Sequence, residues 1–235
     1  MRRSQLILAC FAVSSLLLVT VPAIDMVFSA MFFDGGFRWR ESWWHPLIRD
    51  ATTCFLCVSL LVVLGVYAGN RVLGLKVWNL DGRRVAYLFL VLLLGAGLIV
   101  NFGLKDNFGR ARPRDITEFG GSKTFTPAFV LSNQCRKNCS FSSGEGAAGF
   151  FAMALALALS SKRRVFVSAM AVGALISLAR IAAGAHFLSD TLVSFFVMLI
   201  VADVLHHYMI LRRPERVPAP VPAPTGAVHT LLIGE

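Results

Sequence analysis

His186 and Asp190 are the two residues of this sequence whose spacing most directly suggests nucleophilic chemistry. They are four positions apart, so a helix places the carboxylate beside the imidazole. A carboxylate that accepts a hydrogen bond from one ring nitrogen leaves the other nitrogen free to act as a nucleophile. Arg180 precedes them in an apolar run, where an ionisable residue is a candidate functional residue. An isolated histidine there is usually structural, but the three residues together favour a reactive site.

A second polar segment, "KDNFGRARPR" at residues 105–114, is rich in cations. Lys105 and Arg112 are seven positions apart and share a face if the preceding helix continues. Pro113 then ends that helix. Such a set of cations can bind an anion, although a basic loop can also simply contact anionic lipid headgroups.

A third segment, "SFSSGEG" at residues 140–146, has the composition of a helix start. The free backbone N–H groups and the dipole of a helix N-terminus bind phosphate oxygens, and Ser143 and Gly144 allow a close approach. Ser142 and Glu145 also match a capping box, in which Glu145 only caps its own helix. From this stretch alone, both roles of Glu145 remain open.

The elements that must position these residues are predicted to be membrane helices. Hydrophobic residues make up 56% of the 235-residue chain and charged residues 15%, and a membrane span needs about 20 mostly apolar residues. The first three of six charge-free runs are that long, and the last three are if their polar flanks are included. The runs are Ser4–Ile24, Ala51–Asn70, Val85–Leu104, Gly146–Ser161, Val165–Ala179 and Thr191–Ala202. We therefore predict an all-α, polytopic membrane protein with a six-transmembrane-helix bundle.

The basic residues indicate the orientation of this bundle. Four clusters fall on one side if six helices alternate, and the positive-inside rule makes that side cytoplasmic. The net charge of +10 is explained in this way, without nucleic acid as a partner. Both termini are then cytoplasmic, and the three polar segments converge on the opposite side, near headgroup depth. The clusters are Arg2 and Arg3; Arg71, Lys76, Arg83 and Arg84; Lys162, Arg163 and Arg164; and Arg212, Arg213 and Arg216.

The ends of the chain lead to two further expectations. The N-terminus resembles a cleavable signal peptide, but its apolar run is long for one, so we interpret it as the first membrane helix. Residues 1–213 are assigned to the membrane domain, and the Pro/Ala-rich residues 214–235 to a poorly ordered cytoplasmic tail. The sequence does not indicate the oligomeric state.

Several other residues receive provisional roles. Cys135 and Cys139 lie in the outer loop, where a disulfide is plausible in an oxidising compartment. The remaining cysteines are interpreted as packing residues, and no metal site is predicted. His45, near two tryptophans, is expected at the membrane interface, and Asp25 could line a path for substrate. Polar residues at the inner end of the last helix, Asp203, His206 and His207, are interpreted as structural or interfacial.

The three segments together resemble the signature of a known family. Lys105-x6-Arg112-Pro113, then Ser143-Gly144, then Arg180-x5-His186-x3-Asp190 is similar to the three-part motif of the type 2 phosphatidic acid phosphatases, in the vanadium haloperoxidase superfamily. The six-helix layout also fits that family.

The resemblance implies a mechanism without metal or cofactor. His186 would attack phosphorus and form a phosphohistidine, with Asp190 orienting it. The phosphate oxygens would be held by Lys105, Arg112, Arg180, the Ser143 side chain and the Gly144 amide.

At one position the chain departs from the family, which usually has histidine where Glu145 stands. A carboxylic acid can also protonate a leaving oxygen and then activate water, so we expect Glu145 to be the acid/base residue. Glutamate within "NQCRKNCSFSSGEGA" is similar to the lipid A 4′-phosphatases of Gram-negative bacteria. That resemblance implies a lipid A substrate, an inner-membrane location and a periplasmic active site.

Other functions remain open from the sequence. The same mechanism could act on undecaprenyl pyrophosphate, phosphatidylglycerophosphate or phosphatidic acid. The phosphohistidine could also pass its phosphoryl group to a second lipid. A non-catalytic lipid-binding membrane protein that kept the fold is the alternative from a different class.

Overall fold

The fold is entirely helical over the part of the chain that the structure describes. The computed structural model describes residues 3–212, and within this range the β-structure is limited to one isolated bridge, between Ile116 and Lys123. The predicted tail at residues 214–235, and the boundary that sets it apart, lie outside the described residues.

Eight helices of the described range are named here in chain order. Two stretches of these helices are π-helical, with hydrogen bonds between residues five positions apart. They are Val91–Lys105, in the second part of the fifth helix, and His207–Leu211, at the end of the eighth. The helices are α1 (Arg3–Thr20), α2 (Ala23–Ala30), α3 (Arg38–Glu41), α4 (Trp44–Val72), α5 (Gly82–Lys105), α6 (Gly144–Leu159), α7 (Arg163–Ala182) and α8 (Leu188–Leu211). Pro22 separates α1 from α2, so the first predicted helix is broken near its outer end.

Five of these helices, α1, α4, α5, α7 and α8, are long and apolar enough to cross a membrane. The sixth apolar helix, α6, has 16 residues. At about 1.5 Å per residue it is about 24 Å long, less than the ~30 Å hydrocarbon core. The predicted class, an all-α membrane protein, is thus confirmed. The helix predicted as the fourth membrane span, α6, is shorter than the hydrocarbon core.

The short helix α6 lies at the centre of the bundle and packs against α5, α7 and α8. Most of its residues are buried, in contrast to α1, where only Leu18 is. The helix α7 approaches α6 closely at Gly173, where a Cβ atom would lie 2.2 Å from Cδ1 of Phe150. A side chain at Gly173 would therefore push these two helices apart.

The alternating directions of the helices bring the polar segments to one end of the bundle. This end contains the last residues of α5 and α7 and the first residues of α4, α6 and α8, as the contacts among them show. Residues 106–143 cover it as a long loop, and Cys135 and Cys139 within that loop form a disulfide. We refer to this end as the site end.

Candidate active site

The imidazole of His186 lies in the turn between α7 and α8, and its side chain is buried. Its Nδ1 atom is 2.8 Å from the backbone carbonyl oxygen of Ser140. A carbonyl oxygen can only accept a hydrogen bond, so Nδ1 carries the proton and donates it. Nε2 of the neutral ring is therefore unprotonated and has a lone pair available for attack.

Asp190 does not contact this imidazole as directly as the sequence suggested. Its Oδ2 atom is 3.7 Å from Nδ1 of His186, beyond hydrogen-bonding distance. Oδ2 instead accepts hydrogen bonds from the Ser140 hydroxyl at 2.5 Å and from the Phe187 amide at 2.8 Å. Ser140 thus connects the two residues, because its carbonyl orients the ring and its hydroxyl holds the carboxylate.

A buried guanidinium group neutralises Asp190 from the other side. Arg110 donates to Oδ1 of Asp190 at 2.6 Å and to Oδ2 of Asp25 at 2.8 Å, and all three side chains are about 1% exposed or less. Asp25 also accepts from the amide and the hydroxyl of Ser189, at 2.8 and 2.5 Å. The expectation that Asp25 lines a substrate path is therefore wrong, because its carboxylate is fully occupied inside the protein.

Arg112 is held in place by the loop that the disulfide closes. Its Nη2 atom donates to the carbonyl oxygen of Asn138 at 2.8 Å and to the Oδ1 atom of the same residue at 3.1 Å. Asn138 lies between Cys135 and Cys139 and has a positive φ of 54°. Burial lowers the pKa of the Arg112 guanidinium, with the charge of Arg180 acting in the same direction. Both effects destabilise the cation, so a bound anion would stabilise it.

The start of α6 is adjacent to Lys105. Ser143 is the N-cap residue, and its Oγ atom accepts from the amide of Gly146 at 3.1 Å, which leaves the hydroxyl proton free to be donated. At Gly144 a Cβ atom would lie 2.6 Å from Oδ1 of Asn101 and 3.5 Å from Nζ of Lys105. Gly144 therefore permits the close approach of α5, and its amide has no acceptor within the helix.

Glu145 forms an ion pair with Nε of Arg180. Because the N-cap of α6 is Ser143, one position later than the capping box requires, Glu145 is not the partner of Ser142 in such a box. The capping alternative for Glu145 is therefore wrong. On its other side Arg180 lies 2.9 Å, measured from Nη1, from Nε2 of His45 at the start of α4. An arginine can only donate, so His45 accepts as a neutral ring.

Burial strongly affects the basicity of the imidazole at the centre of the site. Burial, with the positive charge of Lys105 acting in the same direction, lowers the pKa of His186 from its ordinary 6.5 to about 4, against an opposing effect of Asp190. The ring is neutral at physiological pH, as a nucleophile must be.

The structure places the eight predicted catalytic and phosphate-binding residues at the site end of the bundle. His186 and Asp190 meet through Ser140, Glu145 pairs with Arg180, and Lys105 approaches Gly144 beside Ser143. Arg112 is within electrostatic range of Lys105 and His186. A neutral imidazole beside three cations can attack a phosphoryl group and stabilise the charge that develops on its oxygens.

Four residues of this network were missed or misread in the sequence: Asp25, His45, Arg110 and Ser140. Arg110 belonged to the basic run, but spacing cannot distinguish a cation facing an anion site from one buried between carboxylates. His45 is 135 positions from Arg180, so no local pattern connects them.

The three polar segments of the site fall within a region of the chain that matches a known protein family. Residues 86–214 match the model of the PAP2 superfamily, which covers more than half of the chain and all three polar segments. The protein belongs to the PAP2 superfamily.

Three proteins similar to this chain share one name within that superfamily. The chain is 32% identical over 180 residues to the lipid A 4′-phosphatase of Francisella tularensis subsp. novicida (strain U112), covering 72% of this chain and 78% of that protein. It is 31% identical over 203 residues to the lipid A 4′-phosphatase of Rhizobium leguminosarum, covering 78% and 86%. It is 33% identical over 205 residues to that of Rhizobium etli (strain ATCC 51251 / DSM 11541 / JCM 21823 / NBRC 15573 / CFN 42), covering 78% of each chain. No solved structure shows significant similarity to it.

Proposed function

We propose that this protein removes the 4′-phosphate of lipid A by way of a phosphohistidine intermediate. Membership of the PAP2 superfamily and the names of the three relatives support a phosphatase acting on this lipid. The observation that carries the mechanism is the contact of His186 Nδ1 with the Ser140 carbonyl, which leaves Nε2 unprotonated beside the cations of the site.

In the first step, Nε2 of His186 attacks phosphorus, and the bond from phosphorus to the sugar oxygen breaks. Lys105, Arg112 and Arg180 offset the negative charge on the transferring group, while Ser143 and the Gly144 amide donate to its oxygens. A phosphate that binds Arg180 competes with Glu145 for that guanidinium. Glu145 acts as the general acid and gives a proton to the leaving oxygen.

In the second step, the Glu145 carboxylate takes a proton from water, and the resulting hydroxide attacks phosphorus. The bond from phosphorus to Nε2 breaks, which releases inorganic phosphate and restores the neutral imidazole. Asp190 and Ser140 hold the ring in the same orientation during both attacks.

The three cations supply the positive charge that a metal ion supplies in other phosphatases. We propose that the reaction needs no metal or cofactor. Activity should persist after dialysis against EDTA, and a strict requirement for a divalent cation would contradict this part of the mechanism.

We further propose that the site end faces the periplasm of a Gram-negative inner membrane and that the opposite end faces the cytoplasm. The basic residues between α4 and α5 and between α6 and α7 support this orientation under the positive-inside rule. Lipid A exposed in the outer leaflet could then present its phosphate to the site.

The function is tested by mass spectrometry of lipid A from a Gram-negative host that expresses the chain. We expect the loss of one phosphate, from the distal sugar, and intact lipid A in cells expressing His186→Ala. Unchanged lipid A alongside hydrolysis of undecaprenyl pyrophosphate, phosphatidylglycerophosphate or phosphatidic acid would assign the same chemistry to another lipid.

Purified protein tests the assigned roles. His186→Ala should release no phosphate, and Glu145→Gln should lose most turnover while it keeps the fold. Full activity of the His186 variant would exclude the covalent mechanism. Appearance of the phosphate on a second lipid instead of in solution would identify a phosphotransferase.

A further inference from the structure

A cavity of about 840 Å³ opens at the end of the bundle opposite to the site end. It lies between the start of α1, the turn that precedes α5, the α6–α7 turn and the last part of α8. The residues that matter for its chemistry are Arg3, Trp78, Arg84, Lys162, Arg163 and Phe166. The catalytic mechanism uses none of them.

The polar part of this cavity carries an excess of positive charge. Its lining has four cations and, within the described residues, no carboxylate. Arg3 is paired with Asp203 at 2.9 Å, and Arg84 donates to the carbonyl oxygens of Trp78 and Asn79. The exposed side chains of Lys162 and Arg163 form no ion pair among residues 3–212. An anion at this position could therefore bind two cations that have no ion-pair partner in the described part of the chain.

Part of the cavity lining is apolar. Ile7, Leu157, Leu199 and Ile210 line it, from α1, α6 and α8. Within α1 only Leu18 is buried, and Ile7 is partly buried against the core. An apolar slot of this kind fits a hydrocarbon chain.

The rim of the cavity has an unusual backbone. Trp78 and Asn79 adopt left-handed conformations, with φ values of 53° and 47°. Such conformations are unfavourable for residues other than glycine and persist where surrounding contacts hold them, often at ligand sites. Here Arg84 binds both carbonyl oxygens, and the Asn70 side chain binds the carbonyl oxygens on either side, of Val77 and Leu80. This places an indole at the edge of a cationic cavity, a typical position for a side chain at the membrane interface.

We propose that this cavity binds an anionic phospholipid, with its phosphate at Lys162 and Arg163 and an acyl chain in the apolar slot. Basic pockets between membrane helices bind lipid headgroups of this charge. The segment of this chain that could compete is residues 213–235, which follows α8. That segment contains two arginines and two glutamates and so has no net charge to match the cavity.

Trp78 provides a direct measurement, because the other three tryptophans of the chain are at residues 39, 43 and 44, near the site end. The full chain is placed in phosphatidylcholine nanodiscs with increasing fractions of brominated phosphatidylglycerol or brominated phosphatidylcholine. The Trp78 signal is the fluorescence of the wild type minus that of Trp78→Phe. We expect its half-maximal quenching at about tenfold lower mole fraction of the phosphatidylglycerol.

Charge-matched variants locate the effect. Lys162→Gln with Arg163→Gln should remove the preference for phosphatidylglycerol. Arg71→Gln with Arg164→Gln removes the same charge from the same end of the bundle, outside the cavity lining, and should keep the preference. Equal quenching by the two lipids in the wild type, or a preference that survives the loss of Lys162 and Arg163, would overturn the proposal.

Two further arms exclude other occupants. Excess inorganic phosphate should leave the quenching unchanged, whereas loss of the preference would mean that a free anion is sufficient. Truncation after Arg212 should also have no effect, and quenching that occurs only after truncation would identify the tail as the occupant. Because every arm measures binding, its outcome is independent of the proposed phosphatase activity.

Discussion

The hydrogen bonds of Arg180 define what this residue can offer to a phosphate. Its Nε atom pairs with Glu145, and its Nη1 atom donates to Nε2 of His45. The guanidinium group has five N–H donors, so those not used here remain for phosphate oxygens. His45 orients the group without adding a negative charge that would repel the substrate.

Two substitutions of His45 are therefore expected to have different outcomes. His45→Ala should lower kcat/KM and weaken inhibition by inorganic phosphate by about ten- to a hundredfold, the cost of one hydrogen bond to a charged group. His45→Gln should retain most of both, because the amide oxygen can accept from Arg180. Equal losses in the two variants would show that the acceptor function of His45 is not what matters.

The buried imidazole of His186 predicts a pH dependence of stability. Its pKa is about 4 in the folded protein and about 6.5 when exposed. Between these values the unfolded chain binds a proton that the folded protein does not, so stability is complete above pH 6.5 and falls by about 3 kcal/mol toward pH 4. His186→Gln should remove this part of the decrease.

Thermal unfolding in detergent at pH 7 and pH 4.5 measures this effect. The difference in midpoint between the two pH values should be smaller in His186→Gln than in the wild type. His207→Gln, which changes an exposed histidine, serves as the control and should behave as the wild type. An unchanged pH difference in the His186 variant would contradict the prediction.

At the scale of elements, a short buried ion-pair network connects α2 to α8 through the long loop. Asp25 of α2 and Asp190 of α8 share the guanidinium of Arg110, and Ser189 adds two hydrogen bonds to Asp25. A buried charge that loses a partner is costly, since no water replaces it. The network therefore couples the fold of α2 to the orientation of the turn that carries His186.

Asp25→Asn should lower the unfolding midpoint and kcat together, with a cost of about 3–5 kcal/mol in stability. The matched control is Asp50→Asn, which breaks an exposed ion pair with Arg49 and should cost about 0–1 kcal/mol. Unfolding in detergent and phosphate release measure the two effects. A normal midpoint in Asp25→Asn would show that Arg110 does not depend on this carboxylate.

The loop that covers the site end contacts three residues of the candidate site from positions 138 to 140. Asn138 binds Arg112, and Ser140 binds both His186 and Asp190, on either side of Cys139. The disulfide to Cys135 holds this stretch in place. The loop therefore orients residues of the candidate active site and does not act only as a cover.

At the scale of the whole molecule, the two ends of the bundle bind anions of different kinds according to our proposals. The site end holds the substrate phosphate, and the cationic cavity at the other end holds a structural lipid. The short helix α6 lies between them, from Gly144 at the site to Leu159, which lines the cavity.

The proposed orientation predicts which end is accessible from outside the cell. In a background with Cys10, Cys54 and Cys57 replaced by alanine, Glu41→Cys at the site end should react with a membrane-impermeant maleimide in intact cells. Ser161→Cys at the opposite end should react only after the membrane is disrupted. The reverse pattern would place the active site in the cytoplasm.

The sequence by itself determined the class of fold and the principal chemistry of this protein. Apolar runs of membrane-spanning length are sufficient to predict helices, because lipid leaves the backbone few other ways to satisfy its hydrogen bonds. The spacing of His186 and Asp190, and the order of the three motifs, resembled a family to which the chain belongs. The apolar runs and the motifs can both be recognised from the order of residues along the chain.

Only the tertiary structure decided which groups surround each reactive atom. Ser140 connects His186 to Asp190, Asp25 is buried with Arg110, and His45 binds Arg180. All of these are contacts between distant parts of the chain. The length of α6 was likewise decided by its N-cap at Ser143 and by the turn after Leu159. Such contacts depend on how the helices pack, which the spacing of residues along one helix does not specify.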